Sequence, residues 1–278
     1  MNLIALSVML CLGGYHDLLH HPVIVGACAV GLLVLFVPLF AGYAPGELMR
    51  MVCHALSGQA MTRTLAIFDL DGTLVRCQTQ RCFLEQCRER GYIGAATRWK
   101  LLLWFGLYKA GVVSEPRRAM EYAYRCASGW SLERLTQEAE ECLRDLILPH
   151  LCPTMTKRIE TERNAGRYLL LVSNSIEPLA GAIARYLGFD GCIDTRLETV
   201  DGFCTGRIDG SIVYGAAKVR LVREYAASAG LSLDNSVAYA DHISDLPLLE
   251  LASQAVAVNP CRKLHPLALS RNWEVITT

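Results

Sequence analysis

Two aspartates, Asp69 and Asp71, come directly after a short apolar run, Leu65 to Phe68, and Gly72 follows them. Residues spaced i, i+2 share one face of an extended chain, so both carboxylates would point into one pocket. Carboxylates this close repel each other and stay ionised together only beside a cation or with a shared proton. The pair therefore predicts a metal site, although an isolated Asp-x-Asp-Gly is equally compatible with a simple turn.

Polar side chains end two further apolar runs in the same way. They are Ser173 and Asn174 after residues 168–172, and Asp241 after residues 236–240, with Asp245 four residues on. Functional groups of an open parallel sheet collect just beyond the carboxyl ends of its strands. We therefore expect all of these side chains to meet at one edge of a parallel sheet.

Taken together, these stretches resemble the four ordered motifs of the haloacid dehalogenase (HAD) superfamily of phosphatases and phosphotransferases. The matching residues are Asp69 to Thr73, Ser173, Lys218, and Asp241 to Asp245. Further likeness lies in Asp194 to Glu198, Asp201 to Gly206, Lys218 to Arg220, Asp245 to Glu250 and Val256 to Pro260. These segments are similar to subfamily IB, which contains phosphoserine-phosphatase-like hydrolases. The resemblance runs from Thr64 to the C-terminus.

Strands alternate with helical patterns along this part of the chain, which predicts a doubly wound α/β fold with a parallel sheet. Helices are expected from Ile176 to Gly188, from Lys218 to Ala227 and from Leu246 to Ala252, and Asp201-Gly202 and Asp209-Gly210 carry hairpin-turn signals. The resemblance implies a HAD-like Rossmannoid phosphatase domain over residues 61–278. It also implies a helical cap inserted at about residues 76–160.

The resemblance further implies a role for each motif residue. Asp69 would attack phosphorus to form an aspartyl-phosphate, and Asp71 would act as general acid and base. Mg²⁺ would be held by the carboxylates of Asp69 and Asp241 and the backbone carbonyl of Asp71, with Asp245 behind them. Ser173, Asn174 and Lys218 would bind the phosphoryl group. Taken singly, Ser173 and Asp245 could instead be helix caps, and Lys218 a surface charge.

Composition narrows the possible partners. The formal net charge is +0 and there is no long basic run, so no nucleic-acid partner is expected. The 12 cysteines are scattered without a C-x-x-C pair, and Cys77, Cys82 and Cys87 recur every five residues. That spacing fits neither a zinc site nor one helix face. We interpret the cysteines as free thiols of a reducing compartment.

The N-terminal segment, residues 1–60, has a different character from the rest. Only Asp17, Glu47 and Arg50 are charged before Arg63, and Val23 to Tyr43 is an uncharged run about as long as a membrane-spanning helix. A transmembrane helix is therefore predicted at 23–43, with the catalytic domain anchored to the inner or plasma membrane and facing the cytoplasm. Alternatively, translation starts at Met61 and the product is a soluble cytoplasmic protein.

The leading functional hypothesis is a Mg²⁺-dependent phosphatase that acts on a small phosphorylated metabolite. The alternatives are a membrane-associated lipid-phosphate phosphatase or phosphotransferase, and a non-catalytic membrane-anchored binding protein. In phosphoserine phosphatases an acidic residue nine positions beyond the nucleophile pairs with the substrate ammonium, and Gln78 stands at the matching position. Phosphoserine is therefore expected to be a poor substrate. The sequence indicates no particular oligomeric state.

Overall fold

A seven-stranded sheet lies at the centre of the protein in a computed structural model, which describes residues 63–94, 96–97, 99–100, 103 and 116–278. The strands are β1 Thr64–Phe68, β2 Tyr168–Ile176, β3 Gly191–Val200, β4 Phe203–Asp209, β5 Ser232–Ala240, β6 Gln254–Val258 and β7 Glu274–Ile276. Their order is β4-β3-β2-β1-β5-β6-β7, and every pair except the antiparallel β3–β4 pair is parallel. The short apolar strand β1 thus lies between β2 and β5.

Eight α-helices with described bounds connect these strands: α1 Thr79–Glu89, α2 Pro116–Tyr124, α3 Leu132–Cys142, α4 Pro153–Asn164, α5 Glu177–Leu187, α6 Ala216–Ala229, α7 Leu246–Leu251 and α8 Leu264–Ser270. A π-helical turn, Leu143–Ile147, continues α3. The predicted helices after β2, before β5 and after β5 are confirmed to within two residues at each end. Gly188 ends α5 in the left-handed conformation, as expected of a glycine after a helix.

Apolar side chains cover both faces of the sheet. Alternate residues of β1 point to opposite sides, so Ala66 and Phe68 join one apolar cluster with residues of α1 to α5. Leu65 and Ile67 join a second cluster with residues of α6, α7 and α8. Burial on both faces explains why β1 is continuously apolar. The predicted doubly wound α/β core with a parallel sheet is confirmed.

One of the two predicted hairpin turns is wrong. Asp201 and Gly202 do join β3 to β4, with φ values of 51° and 81°. Asp209 instead ends β4, and the chain then leaves the sheet toward α6. Both Asp-Gly pairs allow a tight turn, but only the first has a strand on each side of it. Strand β4 is the edge strand of the sheet, and on its outer side Cys204 exchanges backbone hydrogen bonds with Gly129 and Trp130, in the segment before α3.

Helices α1 to α4 lie between β1 and β2, where the helical cap is expected. The last of them belongs with the sheet, because the Tyr239 hydroxyl of β5 donates a 2.6 Å hydrogen bond to the buried Glu162 of α4. Met155 and Ile159 of α4 also pack into the cluster beneath β1. We therefore propose that the cap ends before Pro153, a little earlier than the sequence suggests.

The chain divides into two units, residues 1–62 and residues 63–278. The predicted membrane span, Val23 to Tyr43, lies outside the described residues. None of the helices in the described part of the chain combines the length and the apolar character that crossing a bilayer requires.

Candidate active site

The carboxyl ends of three neighbouring strands place the predicted residues together. Asp69 follows β1, Asp241 follows β5, and Ser173 lies near the end of β2. The backbone amide of Asp69 donates to the carbonyl of Tyr239 on β5 at 2.9 Å, which continues the sheet pairing up to the aspartate. Because β2, β1 and β5 are adjacent and parallel, residues from distant parts of the chain share one edge.

Lys218, the third residue of α6, points into this edge and is 2% exposed. Its ammonium lies 2.6 Å from Asp69 Oδ1 and 2.8 Å from Asp245 Oδ1. Burial alone would lower the pKa of Lys218, but the two carboxylates reverse this effect and the pKa is raised overall. Lys218 is therefore a buried cation held between two acids, and the surface-charge alternative is wrong.

Asp71 is bound by the start of helix α1. The backbone amide of Thr79, the first residue of α1, donates to Asp71 Oδ1 at 2.8 Å. Burial raises the pKa of Asp71 to about 7, the Thr79 amide opposes the shift, and the charge of Asp69 adds to it. A carboxyl group with a pKa near neutrality can both donate and accept a proton at physiological pH.

Ser173 and Asn174 lie in the last part of β2, beside Asp69. Ser173 is buried, and its hydroxyl accepts a 3.0 Å hydrogen bond from the amide of Ser175. Asn174 Oδ1 accepts from the Thr195 hydroxyl at 3.3 Å. Helix α5 has Ile176 at its N-cap, so Ser173 does not cap that helix.

Three of the acids could hold a metal ion. One carboxylate oxygen from each of Asp69, Asp241 and Asp245 lies within 4.8 Å of the others. Burial, reinforced by the charge of Asp69, raises the pKa of Asp241 to about 8 and that of Asp245 to about 6. When ionised, these acids together carry more negative charge than the single positive charge of Lys218 can neutralise. Carboxylate oxygens are hard ligands, which suit Mg²⁺.

The backbone that follows Asp71 comes very close to the carboxylate of Asp241. Gly72 has φ +85°, and a Cβ placed there would lie 2.3 Å from Asp241 Oδ2. The chain after Asp71 therefore passes directly against the Asp241 carboxylate. The carboxylate of Asp71 lies outside the three-acid cluster, and its predicted contribution to the metal is through its backbone carbonyl.

Asp245 does not act as the helix cap that the alternative interpretation predicts. It precedes α7, yet its side chain caps no amide of that helix in the described structure and instead pairs with Lys218.

Three residues of the site were given no role by the sequence analysis. The buried Thr73 hydroxyl donates to Asp69 Oδ2 at 3.3 Å. The Thr79 hydroxyl shares a 2.6 Å hydrogen bond with the buried Ser175 hydroxyl, and the Gln80 amide donates to the Asn174 carbonyl at 2.6 Å. Thr73 lies within the first motif, four positions after the first aspartate, but was assigned no function there. The roles of Thr79 and Gln80 could not be detected in the sequence, because they depend on where α1 begins.

Comparisons with known proteins agree with this geometry. The sequence model of the haloacid dehalogenase-like hydrolase family matches residues 66–250. A phosphoserine phosphatase of Mycobacterium tuberculosis is 32% identical over 219 residues, covering 76% of this chain and 69% of its own. A histidinol-phosphatase of Neisseria meningitidis is 28% identical over 219 residues, covering 77% and 98%. A crystal structure of a Bordetella pertussis protein of unknown function has 31% identity and a TM-score of 0.72, covering 78% of this chain and 99% of that one.

Proposed function

Because the chain belongs to the haloacid dehalogenase-like hydrolases, in the phosphoserine-phosphatase-like group, and is a phosphatase, we propose that it hydrolyses a small phosphorylated metabolite through an aspartyl-phosphate on Asp69. Two relatives are named for different phosphomonoesters, phosphoserine and histidinol phosphate. The substrate class proposed here is therefore the phosphomonoester of a small metabolite.

One observation carries the proposal: Lys218 is buried between Asp69 and Asp245, beside Asp241, at the carboxyl ends of β1 and β5. Burying several ionised groups is costly unless they are paired or bind a charged ligand. A site with more carboxylates than ammonium groups is suited to a cation, and a phosphate can then enter opposite Lys218.

In this scheme Asp69 is the nucleophile. Its Oδ1 faces Lys218 and its Oδ2 accepts from Thr73, so its carboxylate is held in one orientation. Attack of an Asp69 oxygen on phosphorus forms the aspartyl-phosphate and releases the substrate alkoxide. Fixing the position and orientation of the nucleophile supplies much of the rate advantage of such a reaction.

Asp71 is the proton donor and acceptor. With its pKa raised to about 7, it can protonate the leaving alkoxide and then take a proton from the water that hydrolyses the aspartyl-phosphate. The Thr79 amide holds the Asp71 carboxylate in place for both steps.

We propose that Asp69, Asp241 and the backbone carbonyl of Asp71 hold Mg²⁺, with Asp245 orienting Lys218 behind them. When bound, Mg²⁺ would offset the negative charge of the phosphate and the acids. Ser173, the amide of Asn174 and Lys218 would bind the phosphoryl oxygens.

The test is hydrolysis of p-nitrophenyl phosphate by the purified full chain, with Mg²⁺ and with an excess of EDTA. We expect release of p-nitrophenol that requires Mg²⁺ and returns when Mg²⁺ is restored. A panel of phospho-amino acids, sugar phosphates and lipid phosphates then distinguishes the proposed metabolite phosphatase from a lipid-phosphate phosphatase. Transfer of the phosphoryl group to an added alcohol rather than to water would favour a phosphotransferase.

A membrane anchor at Val23 to Tyr43 remains part of the proposal. Arg50 and Arg63 follow that run and no Lys or Arg precedes it, which favours a catalytic domain on the cytoplasmic side. Cells that express the full chain with a C-terminal tag can be fractionated and probed with a membrane-impermeant reagent. Labelling of intact cells would reverse the orientation, and a product that begins at Met61 would remove the anchor.

A further inference from the structure

Two cysteines lie on either side of the first turn of α1. Gln78 is the N-cap of this helix, so Cys77 comes just before the cap and Cys82 is the fourth helical residue. Side chains at these two positions fold over the helix start and meet, as in a hydrophobic staple. Both are half-buried and pack against the same apolar cluster. The two thiols interact with each other across this turn.

The two thiols differ in reactivity. The hydrogen bond from Cys77 lowers the pKa of Cys82, with a further contribution from the charge of Arg81, against the opposing effects of burial and Asp71. The same hydrogen bond, with burial, raises the pKa of Cys77. Thiolates are the reactive form, and Cys82 is also the sulfur that lies inside the N-terminal part of α1, where a helix favours a thiolate; Cys82 therefore attacks first and Cys77 is in position to follow.

The residues between the two cysteines contact the active site directly. The Thr79 amide binds the Asp71 carboxylate at 2.8 Å, and the Gln80 side chain binds the Asn174 carbonyl at 2.6 Å. A covalent bond between Cys77 and Cys82 would close a small ring around both of them. A change in the backbone of this ring would move the Thr79 amide relative to the Asp71 carboxylate.

We propose that Cys77 and Cys82 form a disulfide when the protein meets a peroxide, and that this disulfide reversibly inactivates the enzyme by displacing Thr79 from Asp71. A misplacement of about 1 Å at a catalytic group costs roughly 100-fold in rate, which sets the size of the expected loss.

The chemistry is complete with hydrogen peroxide as the oxidant. The Cys82 thiolate attacks one peroxide oxygen, the O–O bond breaks, and the released hydroxide takes up a proton to become water. The Cys77 sulfur then attacks the Cys82 sulfenic acid: the S–S bond forms, the S–O bond breaks, and the Cys77 proton leaves with the hydroxide as a second water. The two sulfurs together lose two electrons, and the peroxide gains them.

The chain contains an internal comparison. Cys87 and Cys126 form a second pair of interacting thiols, in which Cys126 is half-buried like Cys82 but Cys87 is 0% exposed. Both sulfurs of the first pair are therefore partly accessible to a peroxide, but only one sulfur of the second pair is. We therefore expect the Cys77–Cys82 link to form first.

The experiment treats the reduced full chain with limiting hydrogen peroxide, blocks the remaining thiols, and maps tryptic peptides without reduction. Trypsin cuts after Arg76, Arg81 and Arg88, so a Cys77–Cys82 link joins peptide 77–81 to peptide 82–88. Fragmentation separates this link from one to Cys87, which is on the second peptide. Mapping does not depend on turnover, so a missing link overturns this inference whatever the outcome for the proposed reaction.

Activity is followed in the same samples with p-nitrophenyl phosphate. We expect the loss of activity to track the Cys77–Cys82 link and dithiothreitol to reverse both. Cys82→Ser and Cys77→Ala should lose the link and the reversible inactivation, whereas Cys192→Ser, at a half-buried thiol elsewhere, should behave like the parent. A fully formed link with unchanged activity would overturn the proposal, and so would Cys82→Ser inactivated reversibly at the parent rate.

Discussion

The ammonium of Lys218 and the carboxylate of Asp69 are 2.6 Å apart, although 149 residues separate them along the chain. Both side chains are almost fully buried, and Lys218 also reaches Asp245 at 2.8 Å. Lys218 therefore keeps a carboxylate partner even if the charge of Asp69 is removed. This arrangement allows the chemical role of Asp69 to be separated from its structural one.

Asp69→Asn should reduce turnover by several orders of magnitude while leaving the fold intact. The amide has nearly the same volume but is neither a nucleophile nor an anionic metal ligand. Hydrolysis of p-nitrophenyl phosphate measures turnover, and circular dichroism with denaturant unfolding measures the fold. The variant and the parent must be purified in parallel to control for contaminating phosphatases. A variant with the parent rate would show that Asp69 is not the nucleophile.

Lys218→Met should lose at least about 100-fold in kcat, as when one charge-stabilising donor is removed from an active site. It should also be less stable, because Asp69 and Asp245 are left without their shared cation. Arg220→Met is the matched control on the same helix, since Arg220 is exposed and pairs with Glu224. Equal effects of the two substitutions on rate would remove Lys218 from the site.

Gly72→Ala should damage the site, and Gly202→Ala should not. Both glycines have positive φ, +85° and +81°, so both variants are expected to lose about 1–3 kcal/mol of stability from backbone strain. Only at Gly72 does the new Cβ collide with Asp241; at Gly202 it meets no atom of the described chain within 4 Å. We therefore expect a large loss of kcat and a raised Mg²⁺ requirement in Gly72→Ala alone. Similar kinetics in the two variants would contradict the close approach.

The metal-free protein should become less stable as the pH rises from 6 to 8. The pKa of Asp71 is raised to about 7 and that of Asp241 to about 8, so the folded state binds protons that the unfolded state has already released. Stability therefore falls with rising pH, by about 3–4 kcal/mol in this window for the two groups together. Denaturant unfolding in EDTA at both pH values measures the loss.

Mg²⁺ should restore more stability at pH 8 than at pH 6, because the ionised acids bind it better. Asp241→Asn should weaken both the pH dependence and the Mg²⁺ effect. A stability in EDTA that does not change with pH in the parent would contradict the crowding of these carboxylates.

The motif residues could be predicted from sequence because each stands at the end of an apolar run, and the ends of parallel strands meet. That is how Asp69, Ser173 and Asp241 were found. Lys218 was placed by family resemblance, since a lysine in a helix carries no local sign of burial. Thr79 was missed because its role depends on the first residue of α1, and helix starts are poorly specified by local sequence. The wrong prediction of a hairpin at Asp209 has a related cause. An Asp-Gly pair indicates a turn, but it does not indicate whether a partner strand follows that turn.

Gln78 provides the test of substrate choice. It is exposed and forms the N-cap of α1. By the family resemblance, its position matches that of the acid that pairs with the substrate ammonium in phosphoserine phosphatases. A neutral amide lacks that charge-assisted bond, which is worth roughly 1.5–3 kcal/mol, or about one to two decades in kcat/KM. Phosphoserine should therefore be hydrolysed less efficiently than the best sugar phosphate or other phosphomonoester in a panel.

Gln78→Glu should raise kcat/KM for phosphoserine by about 10- to 100-fold and leave phosphomonoesters without an ammonium group unchanged. An acid at a helix N-terminus is also favourable for the helix, so the substitution should not weaken the fold. Gln78→Ala, which removes the amide without adding charge, is the matched control and should not improve phosphoserine hydrolysis. The specificity argument fails if the parent already prefers phosphoserine to every other substrate, or if the glutamate improves substrates with and without an ammonium group equally.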